Sequence, residues 1–299
     1  MEQQPDVGSR VILVAGATGN VGSELVDQLV AAAVPVRALV RSADAELPDR
    51  VERVVGDLNE PDTLVPALGG ARGMFLLAGY RDMPALLKRA RDAGVERVAL
   101  LSGGGAVASD LDNAISAYML TSEEAVRQSG LAWTILRPFA FMSNAFRWLP
   151  QLRAGDVIKL PFAQVPTAMI DPYDIARVAA AALLDDRHDG QVYRVSGPES
   201  LLPADQVRVL GGVLGRDLRF EAQSDEQARC EMSASMPLEY VAAFFSFYVD
   251  GTLDESQVLP TVEQITGERA RTFEQWARIH ADAFRSPAAA SPIAASGDA

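Results

Sequence analysis

The chain is poor in the residues that build disulfides and metal sites. Its 299 residues include one cysteine, Cys230, and two histidines, His188 and His280. A lone cysteine cannot pair within the chain, which excludes a disulfide scaffold and points to a reducing, cytoplasmic setting. Two imidazoles cannot make a site of several histidines, and nothing points to a carboxylate site, so no metal is expected. Basic residues are also in deficit, 27 against 40 acidic, for a formal charge of −13. That balance argues against a general nucleic-acid surface, which needs a basic stripe to displace counterions. No run approaches the ~18 apolar residues of a membrane span. Met1 to Arg10 has no apolar stretch of the secretory kind. What is present, 48% hydrophobic and 22% charged residues, suits a globular chain with a sizeable core.

Short apolar runs alternate with helical patterns through the first half. Val11 to Ala15 is apolar on both faces, as a central parallel strand would be, and it breaks at Gly16. Val21, Leu25, Val26, Leu29 and Val30 then recur at helical spacing, predicting a helix over Asn20 to Ala33. Strands follow at Val36–Val40, Val51–Val55, Met74–Ala78, Val98–Leu101 and Trp133–Leu136, separated by helices near Asp62–Leu68, Asp82–Ala93 and Ala114–Gln128. Strict alternation means a parallel sheet covered on both faces. The expected fold is therefore α/β, a doubly wound parallel sheet with a smaller, helix-rich C-terminal region.

Past residue 140 the rhythm loosens. Helices are expected at Phe141–Leu152, Asp171–Leu184 with Asp171 as its cap, Ala204–Leu214, Leu238–Val249 and Thr272–Phe284. Val192–Val195 is read as a late strand returning to the main sheet. The expected organisation is a flexible start over 1–9, a nucleotide domain over 10–154, a substrate-binding region over 155–285 and a disordered tail over 286–299. That tail is made of Ala, Ser, Pro and Gly and lacks the large apolar residues that offset ordering entropy.

The strongest chemical signal is Gly16-Ala17-Thr18-Gly19-Asn20-Val21-Gly22, directly after the first strand and opening the first helix. In that context Gly16 allows a tight turn, Gly19 lets a pyrophosphate approach the backbone, and Gly22 lets helix and strand pack closely. Amides near Thr18, Asn20 and Val21 then meet the anion with the helix dipole in their favour. At the end of the second strand, where an acid would hold the ribose hydroxyl of NAD, stand Val40-Arg41-Ser42, with Arg37 earlier on the strand. A guanidinium suits a 2′-phosphate, so NADP(H) is expected over NAD(H). Asp57, in Gly56-Asp57-Leu58, is placed either to accept from an adenine amine or to cap the helix at Pro61.

These segments, with Trp133-Thr-Ile-Leu-Arg-Pro-Phe139, Phe141-Met-Ser-Asn144, Asp174-Ile-Ala176, Ser196-Gly-Pro198 and Leu214-Gly-Arg216, resemble the NmrA-like group of atypical short-chain dehydrogenase/reductases. The likeness spans about residues 10 to 285. It implies a Rossmann domain, NADP(H) binding and a small C-terminal substrate region, with Leu58, Leu77 and Ala78 joining the residues beside the cofactor. Relatives of this kind include quinone reductases, azoreductases, isoflavone-reductase-like enzymes and redox sensors that bind the nucleotide without turning it over.

One departure bears on the chemistry. The wider superfamily carries Tyr-x-x-x-Lys on the helix after the fifth strand, and here that helix reads Tyr118-Met-Leu-Thr-Ser122. A phenol titrates near 10 and needs a neighbouring ammonium to serve as an acid at neutral pH. Ser122 supplies no charge, and Glu123 and Glu124 would disfavour a phenolate. Tyr118 and Ser102, at the end of the fifth strand, are the candidate catalytic residues. Tyr118 could instead hold the nicotinamide ribose or simply pack, and Ser102 could be a hydroxyl in a glycine-rich turn. Without the lysine, a quinone, enone or azo acceptor is favoured over a plain ketone, because it delocalises the charge that hydride brings. Phe139, Phe141, Met142, Phe146 and Trp148 could line a pocket for such a flat molecule or belong to the core. The expected function is an NADPH-dependent reductase of a small aromatic or conjugated substrate, with no nucleic-acid or membrane partner. The alternatives are a redox sensor without turnover and an isomerase or cyclase on the same fold.

Overall fold

The computed structural model describes residues 11–285, so the expectations for 1–9 and 286–299 lie outside the described residues. The first half runs β1 (Val11–Val14), α1 (Asn20–Ala31), β2 (Val36–Val40), β3 (Glu52–Val55), α2 (Val65–Leu68), β4 (Ala71–Leu77), α3 (Met83–Asp92), β5 (Arg97–Leu101), α4 (Ala114–Arg127) and β6 (Ala132–Pro138). The second half runs α5 (Leu149–Ala154), β7 (Val157–Leu160), α6 (Pro172–Leu184), β8 (Gln191–Val195), α7 (Pro203–Leu214), β9 (Arg219–Ala222), α8 (Asp225–Ser233), α9 (Leu238–Tyr248), α10 (Thr261–Thr266), α11 (Phe273–Ile279) and α12 (Ala281–Arg285).

Seven strands form one sheet in the order β3-β2-β1-β4-β5-β6-β8, with β1 to β6 parallel. The order reverses between β1 and β4. In such sheets this switch point, at the carboxyl ends of the strands, is where nucleotides bind. Every residue of β2 is buried, as a strand covered on both faces requires. The late strand β8 takes the edge beside β6, as its pattern predicts.

The chain divides into two units that interleave along the sequence. One holds the residues up to Ser102 together with 121–136 and 176–192, and the other holds 103–120, 137–175 and 193 onward. The first unit is packed around Leu13, Met74, Leu76, Leu100 and Ile135, with Leu64, Leu86, Leu87 and Val126 from its helices. The second has a core of Met142, Trp148, Ile158, Leu210, Phe273 and Trp276. It also contains a two-stranded parallel sheet of β7 and β9, too short to be read from four-residue runs.

Two expected helices are broken. Phe141–Leu152 is a 3₁₀ segment over Met142–Trp148 followed by α5, because Pro150 has no N–H to continue a ladder and is tolerated only in a first turn. Thr272–Phe284 is interrupted at His280 between α11 and α12. Helix α8, for which the sequence reading gave no expectation, opens on a capping box of Ser224 with Gln227.

Candidate active site

The glycine-rich turn has the shape its spacing predicts. Gly16 has φ +62°, a left-handed conformation that glycine adopts without strain. A Cβ on Gly22 would lie 2.0 Å from the Gly16 carbonyl oxygen, so only glycine lets α1 begin so close to β1. A Cβ on Gly19 would stand 3.2 Å from the same oxygen. Gly19 caps α1 with extended backbone, no side chain caps it, and the first turn holds no acidic residue. The Gly19 amide donates to the Gly16 carbonyl at 2.9 Å and closes the turn, and the dipole of α1 favours an anion at its start. Thr18 and Gly19 are exposed, whereas Ala17 and Val21 are buried, so those two can meet a ligand only through backbone. A cleft of about 640 Å³ beside the turn is lined by Ala17, Thr18, Ser23, Asp27 and Pro48 among others.

At the ends of β2, β3 and β4 the structure separates two arginines that look equivalent in sequence. Arg37 is committed: its Nε donates to Glu52 at 2.8 Å, and Nη1 donates to the carbonyls of Ala67 and Gly69, both at 2.7 Å. It is therefore not available to a phosphate. Arg41 is exposed. Its charge reaches Tyr80, whose phenol burial pushes up to about 12, with Arg41 lowering and Asp57 raising it. Tyr80 was missed by sequence reasoning, although it directly follows Leu77-Ala78-Gly79 at the mouth of β4. Asp57 is exposed and already caps a turn, accepting the Asn59 amide at 2.8 Å. Leu58 is buried in the core. Leu77 and Ala78 are partly exposed, and Leu77 packs over Gly16.

Ser102 is not an isolated hydroxyl. It donates to Glu123 Oε1 at 2.7 Å, and Glu123, with no exposed surface, is paired with Arg127 at 2.9 Å. Glu123 thus faces Ser102 and Arg127. The Tyr118 phenol is raised to about 12 chiefly by burial and then by Tyr240, whose ring lies 6.4 Å away. Ser122, one helical turn after Tyr118, is 2% exposed and accepts the Gly79 amide at 3.0 Å. A lysine there would bury an ammonium in place of a satisfied hydroxyl, which accounts for the departure from Tyr-x-x-x-Lys. Among the expected pocket residues, Phe139, Met142 and Trp148 are core, and Phe146 stacks on Phe284 and meets Trp276 edge-on. A different apolar cluster gathers Ile115, Tyr118, Met119, Tyr240, Phe244, Phe247 and Tyr248. Among the described residues no group of His, Cys, Asp and Glu could hold a metal, and no helix is long and apolar enough to cross a membrane.

A glycine cradle at the switch point of a 3-2-1-4-5-6 sheet defines a dinucleotide-binding protein. The family model described as NAD(P)H-binding matches residues 16–186, and the chain belongs to that family. It is 38% identical over 281 residues to the (4-alkanoyl-5-oxo-2,5-dihydrofuran-3-yl)methyl phosphate reductase of Streptomyces griseus, covering 92% of this chain and 99% of that one. It is 37% identical over 284 residues to the NAD(P)H azoreductase of Xenophilus azovorans, with the same coverage. The solved triphenylmethane reductase of Citrobacter sp., complexed with NADP(H), shares the fold at a TM-score of 0.74 and 21% identity, covering 90% and 99% of the two chains. The protein is an NAD(P)H-dependent oxidoreductase.

Proposed function

We propose that this enzyme uses NADPH to reduce a small conjugated acceptor, an unsaturated lactone, enone, quinone or azo compound. The observation that carries this reading is Tyr118, a half-buried phenol raised to about 12 on a helix with no lysine. Such a group is a poor acid for the alkoxide formed from a simple ketone. An acceptor that spreads its charge over two carbonyls needs far less help. The first relative named above has that kind of substrate in its name, a dihydrofuranone ring bearing an alkanoyl group.

The bound cofactor supplies hydride. The amides of Thr18, Asn20 and Val21 would hold its pyrophosphate, and Arg41 would pair with its 2′-phosphate. Leu77 and Ala78 would border it. Initial rates of NADPH oxidation across quinones, enones, azo compounds and plain ketones test the reading. Turnover confined to the conjugated acceptors supports it, and a preference for plain ketones contradicts it.

Two substitutions sharpen this. Arg41→Ala should weaken NADPH binding roughly tenfold or more, the worth of one charge-assisted contact, and leave NADH nearly unchanged. Fluorescence titration with both nucleotides reads the difference. Tyr118→Phe should keep most of the turnover on a quinone. Single-turnover rates at saturating NADPH check this, because an essential acid would lower the chemical step by ~10²–10⁴-fold.

A further inference from the structure

The chain leaving β4 and the chain leaving β5 are fastened to two successive residues of α4. Ser122 accepts the Gly79 amide at 3.0 Å, and Glu123 accepts the Ser102 hydroxyl at 2.7 Å. Glu123 has no exposed surface and its other oxygen holds Arg127 at 2.9 Å, with the guanidinium 5.6 Å from the centre of the Trp133 ring. It is thus the carboxylate of an ion pair, and a carboxylate only accepts hydrogen bonds. The single proton of Ser102 is committed to it. What the hydroxyl has left is its lone pairs, so it serves a donor and gives no proton to a reduced acceptor. Sheet register places that oxygen. Leu101 pairs with Leu77, the Ala78 amide donates to the Leu101 carbonyl at 3.0 Å, and Leu77 packs over Gly16. Ser102 therefore stands level with Ala78, two strands or about 10 Å from β1, and keeps 8% of its surface open. Arg41 follows β2 and the glycine turn follows β1. A dinucleotide laid along these strand ends has its adenosine half on the β2 side and its nicotinamide half over β4 and β5.

We propose that Glu123 makes Ser102 a hydrogen-bond acceptor for the carboxamide N–H of the nicotinamide, and so sets how that ring is held at the end of β5. This role for Ser102 rests on the NADPH reading above and takes the residue out of the proton chemistry of the acceptor. The carboxamide is the substituent of the ring that offers N–H donors. Its carbonyl cannot pair with a hydroxyl whose proton is held away from it. Turning the carboxamide over would set that carbonyl against the serine lone pairs, two acceptors face to face. Glu123 acts only through Ser102 and is a positioning residue, fixed in turn by Arg127.

Binding of NADP+ and of its 3-acetylpyridine analogue, in which a methyl group replaces the amide nitrogen, tests this without turnover. The wild type should bind NADP+ about tenfold more tightly, the worth of one hydrogen bond whose partner is otherwise left unpaired. Ser102→Ala should bring the two affinities together. Glu123→Gln should do the same for a different reason. Its amide oxygen goes to the Arg127 guanidinium and its amide nitrogen donates to Ser102. The serine proton then turns outward to a carbonyl that both nucleotides carry. A residue that merely supported the fold would weaken both nucleotides by one factor and leave their ratio unchanged. Equal affinities in the wild type, or a tenfold ratio kept by Ser102→Ala, overturn the contact while the reductase reading stands. A tenfold ratio kept by Glu123→Gln overturns the positioning role. Ser102→Ala leaves the ion pair in place and decides the contact if the glutamine variant does not fold. A wild type that binds neither nucleotide overturns the cofactor reading and this role together.

Discussion

Alanine at position 22 is expected to cost the protein its nucleotide. The added Cβ would lie 2.0 Å from the Gly16 oxygen and 2.6 Å from its carbonyl carbon, both backbone atoms with no rotamer to yield. Either α1 moves away from β1 or the turn opens, and in both cases the amides at the helix start no longer converge on one anion. Displacing a positioned group by an ångström costs on the order of a hundredfold, so NADPH affinity should fall by about that factor or more. Folding should also weaken by about 1–3 kcal/mol, as overpacked sites do. Nucleotide titration beside chemical denaturation checks both. Full affinity in Gly22→Ala would mean that this turn does not hold the cofactor.

The second large effect is expected away from the nucleotide. Arg127→Met removes the guanidinium paired with Glu123, a carboxyl with no exposed surface. Breaking such a pair from one side costs about 3–5 kcal/mol, because the remaining charge is stranded in a low dielectric. Arg127 is about a third exposed, and Glu123 keeps the Ser102 hydrogen bond, so the loss should lie near 3 kcal/mol. Replacing both partners, as in Glu123→Gln with Arg127→Met, should restore much of it. Urea denaturation of the single and double variants measures this. A single variant as stable as the wild type would show that the pair contributes nothing.

The residues differ in how far sequence alone could reach them. Gly16, Gly19 and Gly22 were legible because their reason is local: a turn, a close approach and a helix start within seven positions. The strands of the parallel sheet were legible because both faces are buried and the runs are apolar throughout. Arg37 was not, since its partners Glu52, Ala67 and Gly69 come from other elements that sheet pairing brings near. Ser122 was read as a missing lysine and Glu123 as a charge that disfavours a phenolate, yet the structure joins them to Gly79 and Ser102, 43 and 21 positions away. The aromatic run from Phe139 to Trp148 left pocket and core open because large apolar residues serve both equally well, and burial puts Phe139, Met142 and Trp148 in the core.

The central claim is that this protein moves hydride from NADPH to a conjugated acceptor. A single-turnover reaction of the wild type with NADPH deuterated at the transferring carbon and an unsaturated lactone bearing an acyl group tests it most directly. The account predicts a saturated product with one deuterium at the carbon β to the carbonyls, found by mass spectrometry in an amount matching the enzyme. Unlabelled or unreduced lactone, recovered while the nucleotide remains tightly bound, would contradict it.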